Sequence, residues 1–141
     1  MRLGYTLLEL VFVLTLIAAG FAIVAPSYQR AHDRLIVRSA RESLVGLIMR
    51  ARSLAVVHGG AVVTLTAEPA GASLRAGGEF RDSLSLTELG VEMDLTGGRP
   101  QAGLGFNSLG IGELAGQTVG LSRGSARSGL IVSAHGRVRR W

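Results

Sequence analysis

Met1-Arg2-Leu3-Gly4-Tyr5-Thr6-Leu7-Leu8-Glu9 opens the chain, and Glu9 stands inside an apolar stretch that continues to Ala25. A carboxylate near the middle of a membrane helix costs about 2.5 to 3.5 kcal/mol on insertion scales. A charge kept at that cost points to a function and to a cationic partner. From Tyr5 to Ala25 the run is about 21 residues, or about 30 Å as a helix, which is enough to cross a bilayer. The four residues Met1 to Gly4 precede it as a short polar leader. A cleavable secretory signal shares the basic start and the apolar core. It does not account for Glu9 inside that core, nor for the amphipathic pattern that continues past Gly20-Phe21-Ala22. A plain single-span anchor explains the length but not the carboxylate.

Composition narrows the rest. With about 25 of the 141 residues in the apolar segment, one small domain remains. There is no cysteine, which removes disulfides, thiolate metal sites and cysteine nucleophiles. All 15 basic residues are arginine, so a P-loop lysine and Schiff-base chemistry are absent as well. The net charge of +5 is unevenly spread. Arg30, Arg34, Arg38, Arg41, Arg50 and Arg52 outweigh Asp33 and Glu42 in residues 27–60. Residues 61–98 are acidic, with Glu68, Glu79, Asp82, Glu88, Glu92 and Asp94 against Arg75 and Arg81. Beyond them Arg99, Arg123, Arg127, Arg137, Arg139 and Arg140 face only Glu113. A basic helix, an acidic middle and a basic tail suit complementary subunit contacts or an anionic ligand.

Past Pro26 the apolar residues Tyr28, Ala31, Leu35, Ile36, Ala40, Leu44, Leu47, Ile48, Ala51, Leu54 and Ala55 recur in steps of three and four, one face of a helix. Pro26 lacks a backbone donor and crowds the preceding turn, so a kink is expected there rather than a domain boundary. His58-Gly59-Gly60 supplies the stop. The expected helix runs from Tyr5 to Val57, about 75 to 80 Å. Beyond Gly60 short β-like segments alternate with glycine: residues 61–67, 73–75, 84–86, 91–95, 104–106, 118–122, 130–133 and 137–141. Glu68-Pro69-Ala70-Gly71 reads as a turn. The fold class is α+β, a long N-terminal helical spine packed on a C-terminal antiparallel β-sheet head.

No catalytic constellation emerges, and no enzyme, metal site or cofactor is expected. His32, His58 and His135 are isolated, Gly103-x-Gly105 misses the dinucleotide fingerprint, and no G-x-S-x-G elbow occurs. One further motif stands out, Gly136-Arg137-Val138-Arg139-Arg140. If it is extended, Arg137 and Arg139 share a face, about 6 to 7 Å apart, near the spacing of adjacent phosphates on a nucleic-acid strand. Trp141 adds a surface on which a base can stack. The same arginines suit a solvated edge strand that resists aggregation, or one that pairs with acids on a neighbouring subunit.

Gly4 followed by Tyr5-Thr6-Leu7-Leu8-Glu9 resembles the type IV prepilin processing motif, with Tyr5 in place of the usual Phe. The resemblance implies cleavage between Gly4 and Tyr5 by a prepilin peptidase and N-methylation of Tyr5. It also implies that Glu9 pairs with the N-terminal amine of a neighbouring subunit during assembly. Leu104-Gly105-Phe106-Asn107-Ser108-Leu109-Gly110 and Leu130 to Val138 resemble the C-terminal half of the GspH/FimT family, and residues 68–100 match no part of it. The implied organisation is a leader at 1–4, a transmembrane and assembly helix at 5–26 that includes Pro26, an amphipathic half-helix at 27–58 and a β-rich head at 59–141. The implied protein is a minor pseudopilin of a type II secretion-like fibre, with other pilins or pseudopilins, the peptidase and an inner-membrane assembly platform as partners. It would sit in the bacterial inner membrane with a cytoplasmic N-terminus, although the arginines beyond the span run against the positive-inside tendency. The exported protein is one candidate ligand of the head. The alternative is a FimT-like minor pilin that binds DNA through Arg137, Arg139 and Arg140 during natural transformation.

Overall fold

The computed structural model describes residues 6–113 and 116–141, so Gly4 and Tyr5 lie outside the described residues. One helix, α1 (Leu7–His58), is followed by eight strands: β1 (Gly60–Thr66), β2 (Gly71–Ala76), β3 (Glu79–Ser85), β4 (Glu92–Leu95), β5 (Gln101–Asn107), β6 (Gln117–Arg123), β7 (Ala126–Val132) and β8 (Val138–Arg140). Internal contacts divide the chain into two units at His32/Asp33.

In the first unit α1 runs through Pro26 without a break. Leu7, Leu8, Leu10, Phe12, Leu14 and Phe21 are all exposed. This helix is long and apolar enough to cross a membrane, and none of its most apolar window is buried within the chain. Thr6 caps its start: the Glu9 amide donates to Thr6 Oγ1 at 3.3 Å and to the Thr6 carbonyl at 3.1 Å.

In the second unit the helix buries Val37, Ala40, Leu44, Val45, Leu47, Ile48, Ala51 and Ala55. The stripe is the expected one with a correction at its edges. Leu35, expected on the buried face, is 66% exposed, whereas Val37 is 1% exposed. Two residues turn a helix by about 200°, so only one of that pair can face inward, and the line through 37, 40, 44, 48, 51 and 55 keeps Val37. The helix stops at His58 because Gly59 takes φ +78°, a left-handed conformation that favours glycine.

The head has two antiparallel sheets where one was expected. The first has the order β3-β2-β1-β5 and the second the order β4-β6-β7-β8. The chain leaves the first sheet at Leu86, wholly buried, whose amide donates to the Ala70 carbonyl at 2.9 Å. A short 3-10 turn, Thr87–Leu89, then leads into β4. Alternation decides the inner faces: Ala61, Val63 and Leu65 of β1 and Ala72, Leu74 and Ala76 of β2, with Met93 and Leu95 of β4 and Val119 and Leu121 of β6. With the helix stripe they form one apolar core. Each fully buried Leu or Val in it contributes about 1.5 to 3 kcal/mol relative to exposure.

Candidate functional site

Two surfaces carry the residues singled out by the sequence. Glu9 is exposed at the third helical position of α1, with Leu7, Leu8, Leu10 and Phe12 exposed around it. A negative charge in the first turn meets the positive end of the helix dipole, which favours it modestly. Thr6-x-x-Glu9 therefore also reads as a helix-start signature, a local role for Glu9 that the sequence reading missed although the spacing was visible.

The second surface is the outer face of the second sheet. Strand β8 lies at its edge, with Val132 opposite Val138, Ile131 opposite Arg139 and Leu130 opposite Arg140. Pairing continues one residue further, where Gly129 and Trp141 exchange two backbone hydrogen bonds of 3.0 and 3.1 Å. Val138 packs on the core, so alternation turns Arg139 and Trp141 outward. The indole lies over Gly129: a Cβ built there would fall 2.6 Å from the ring. Arg127, exposed on β7 two residues from Gly129, occupies the same face and was not singled out in the sequence. Only its alternation with Gly129 and Ile131 would have marked it.

The three tail arginines are not equivalent. Arg137 is exposed just before β8, held by its amide to Ser133 Oγ at 3.0 Å. Arg140 turns toward α1 and pairs with Glu42 at 3.1 Å. Glu42 also accepts from Arg41 Nη2 at 2.8 Å. The hydrogen bond from Arg140, and after it that from Arg41, holds the Glu42 carboxyl below the usual carboxylate range. Arg41 ties this corner together. Its Nη1 donates to Ser128 Oγ at 2.9 Å, and Ser128 in turn donates to the Trp141 carbonyl at 2.9 Å. Arg140 is thus part of the joint between helix and sheet, whereas Arg137 and Arg139 pair with no carboxylate among the described residues. At the far end of the sheet, Arg123 Nε donates to Asp33 Oδ1 at 2.9 Å and its Nη1 donates to the Leu89 carbonyl.

No family model and no curated protein sequence matches the chain. Among solved structures it is similar to the type IV minor pilin FimU of Pseudomonas aeruginosa, with 20% identity and a TM-score of 0.53 over 74% of this chain and 91% of that one. The likeness is one of fold. A long N-terminal helix packed on an antiparallel β head is the type IV pilin-like arrangement.

Proposed function

We propose that the chain is a minor pseudopilin of the GspH/FimT kind, a subunit of a short pilus-like fibre that serves a type II secretion-like export system. Its role is mechanical rather than catalytic. The observation that carries the proposal is Glu9, a lone carboxylate on an exposed apolar helix that continues into the spine of a pilin-like head. In a bilayer such a charge is tolerable only against a cation, and the methylated N-terminal amine of a neighbour would be that cation. Prepilin peptidase and an inner-membrane platform are the partners this role requires, with the head on the periplasmic side. The test is processing: Gly4→Val should leave uncleaved precursor in cells that hold the peptidase. Normal maturation of that variant would remove the proposal.

A second role is favoured by one feature of the head, the outward Arg139 and Trp141 beside Arg127. Guanidiniums and an exposed ring on one sheet face suit a single nucleic-acid strand, with phosphates on the arginines and a base on the indole. DNA affinity of the full chain in detergent, titrated with salt, should then fall in the Arg137→Ala/Arg139→Ala form. Unchanged affinity would exclude this role.

A further inference from the structure

Among the described residues the second sheet has two free edges of opposite charge. Strand β4, paired only with β6, carries Glu92 and Asp94, both exposed. Strand β8, paired only with β7, carries Arg139, with Arg137 just ahead of it and Arg127 on the adjoining strand. None of these five charges has an ion-pair partner among the described residues. The charges of the two edge strands, Glu92 and Asp94 against Arg137 and Arg139, also lie too far apart to neutralise one another. Three strand spacings separate the edges, about 14 Å, which exceeds the screening length of about 8 Å at physiological salt. Alongside β4 runs an open groove of about 960 Å³, whose walls include Glu68, Glu92 and Asp94 against the single guanidinium of Arg99.

We propose that this acidic edge and its groove receive the basic β8 edge of a second copy of the chain, so that heads associate head to tail. Both halves of the contact are on this one chain, and the charges of neither edge are ion-paired among the described residues. The signs also exclude the symmetric arrangements. Joining β8 to β8 sets Arg139 against Arg139, and joining β4 to β4 sets carboxylates against carboxylates; like charges across paired strands are unfavourable. What remains is a heterologous contact, which repeats from copy to copy instead of closing on itself. The unpaired backbone of both edges gives the docked strand hydrogen-bond partners, and the charges choose which edge meets which. The proposal goes beyond the fibre role, because the contact is specified by the head and not by the apolar helix.

The test is charge complementation in the full chain, purified in nonionic detergent after nuclease treatment. One variant, Glu92→Arg/Asp94→Arg, has two basic edges; the other, Arg137→Glu/Arg139→Glu, has two acidic edges. All four positions are exposed, and matching circular dichroism and thermal midpoints would show that both variants fold. Wild type should self-associate by sedimentation and disperse near 1 M salt, where the screening length falls to about 3 Å. Each variant alone should lose association at least tenfold, and a one-to-one mixture should regain it. A wild type that stays monomeric, variants that associate as wild type does, or a folded mixture that stays dispersed would each overturn the proposal. So would association that appears only when DNA is added back, since nucleic acid would then bridge the basic edges. Failed processing of the Gly4→Val precursor bears on the fibre role alone and leaves this outcome unaffected.

Discussion

The indole of Trp141 rests on the backbone of Gly129, and a single added carbon at position 129 would lie 2.6 Å from the ring and 2.4 Å from the Val119 carbonyl oxygen. Gly129→Ala should therefore push the ring off the sheet and strain the β6–β7 pairing, at about 1 to 3 kcal/mol. The chain holds one tryptophan. Its emission should shift to the red in the variant, and the thermal midpoint should fall. An unchanged spectrum would mean that the ring does not use this platform in solution.

Acidification should loosen the joint between helix and sheet through Glu42. Its carboxyl is held below its ordinary value, first by Arg140 and then by Arg41. A carboxylate with a depressed folded-state pKa stabilises above its unfolded pKa, about 4.3, and that contribution is lost as pH falls through the folded value. The midpoint difference between wild type and Glu42→Gln should be present at pH 6 and vanish toward pH 3. A difference independent of pH would assign the effect of the substitution to packing. Both partners are half exposed, so the difference should also shrink in high salt.

Most of this architecture is local, which is why so much of it is legible in the sequence. The apolar spacing from Ala40 to Ala55, the Gly59 stop and the β-like segments after Gly60 act over a few residues, and each overlaps an element of the structure, although β3, β5 and β7 begin three to five residues before the segments expected at 84–86, 104–106 and 130–133. What the sequence hid is non-local. Glu42 and Arg140 stand 98 positions apart, and nothing in either neighbourhood announces their pairing. The division into two sheets depends on β5 returning to β1 across the whole of residues 67–100, while β4 joins β6. Alternation alone cannot tell which strands become neighbours, because it fixes faces and not partners. Alternation already sets Arg139 and Arg140 on opposite faces, but that Arg140 meets Glu42 there was beyond reach for the same reason.

Arg123 should prove more important than its acidic partner. Asp33 accepts a hydrogen bond from Arg123, but Arg123 joins both Asp33 on the helix and the Leu89 carbonyl on the turn before β4. Asp33→Asn keeps a hydrogen-bond acceptor and should cost less than about 1 kcal/mol. Arg123→Ala strips two partners at once and should cost about 1 to 2 kcal/mol. Chemical denaturation of the full chain in detergent would rank the two, and equal costs would show that the bond to Leu89 contributes nothing.

Glu9 has two candidate roles, and two substitutions separate them. As a helix-start residue it acts on its own chain, where the Thr6 hydroxyl accepts the Glu9 amide. As an assembly contact it acts on the amine of a neighbour, and only the negative charge matters there. Glu9→Gln keeps the side-chain length and its ability to hydrogen-bond but removes the charge. If assembly depends on that charge, the variant should insert in the membrane as wild type does, yet its recovery in sheared or detergent-extracted fibres should fall at least tenfold. Thr6→Ala removes the cap instead, costs about 1 kcal/mol of helix start, and should leave fibre recovery within about twofold. Reversal of that ranking would make Glu9 a capping residue. Normal fibres from Glu9→Gln would remove the pairing role altogether, and the insertion cost of an uncompensated carboxylate would then have no functional return on this chain.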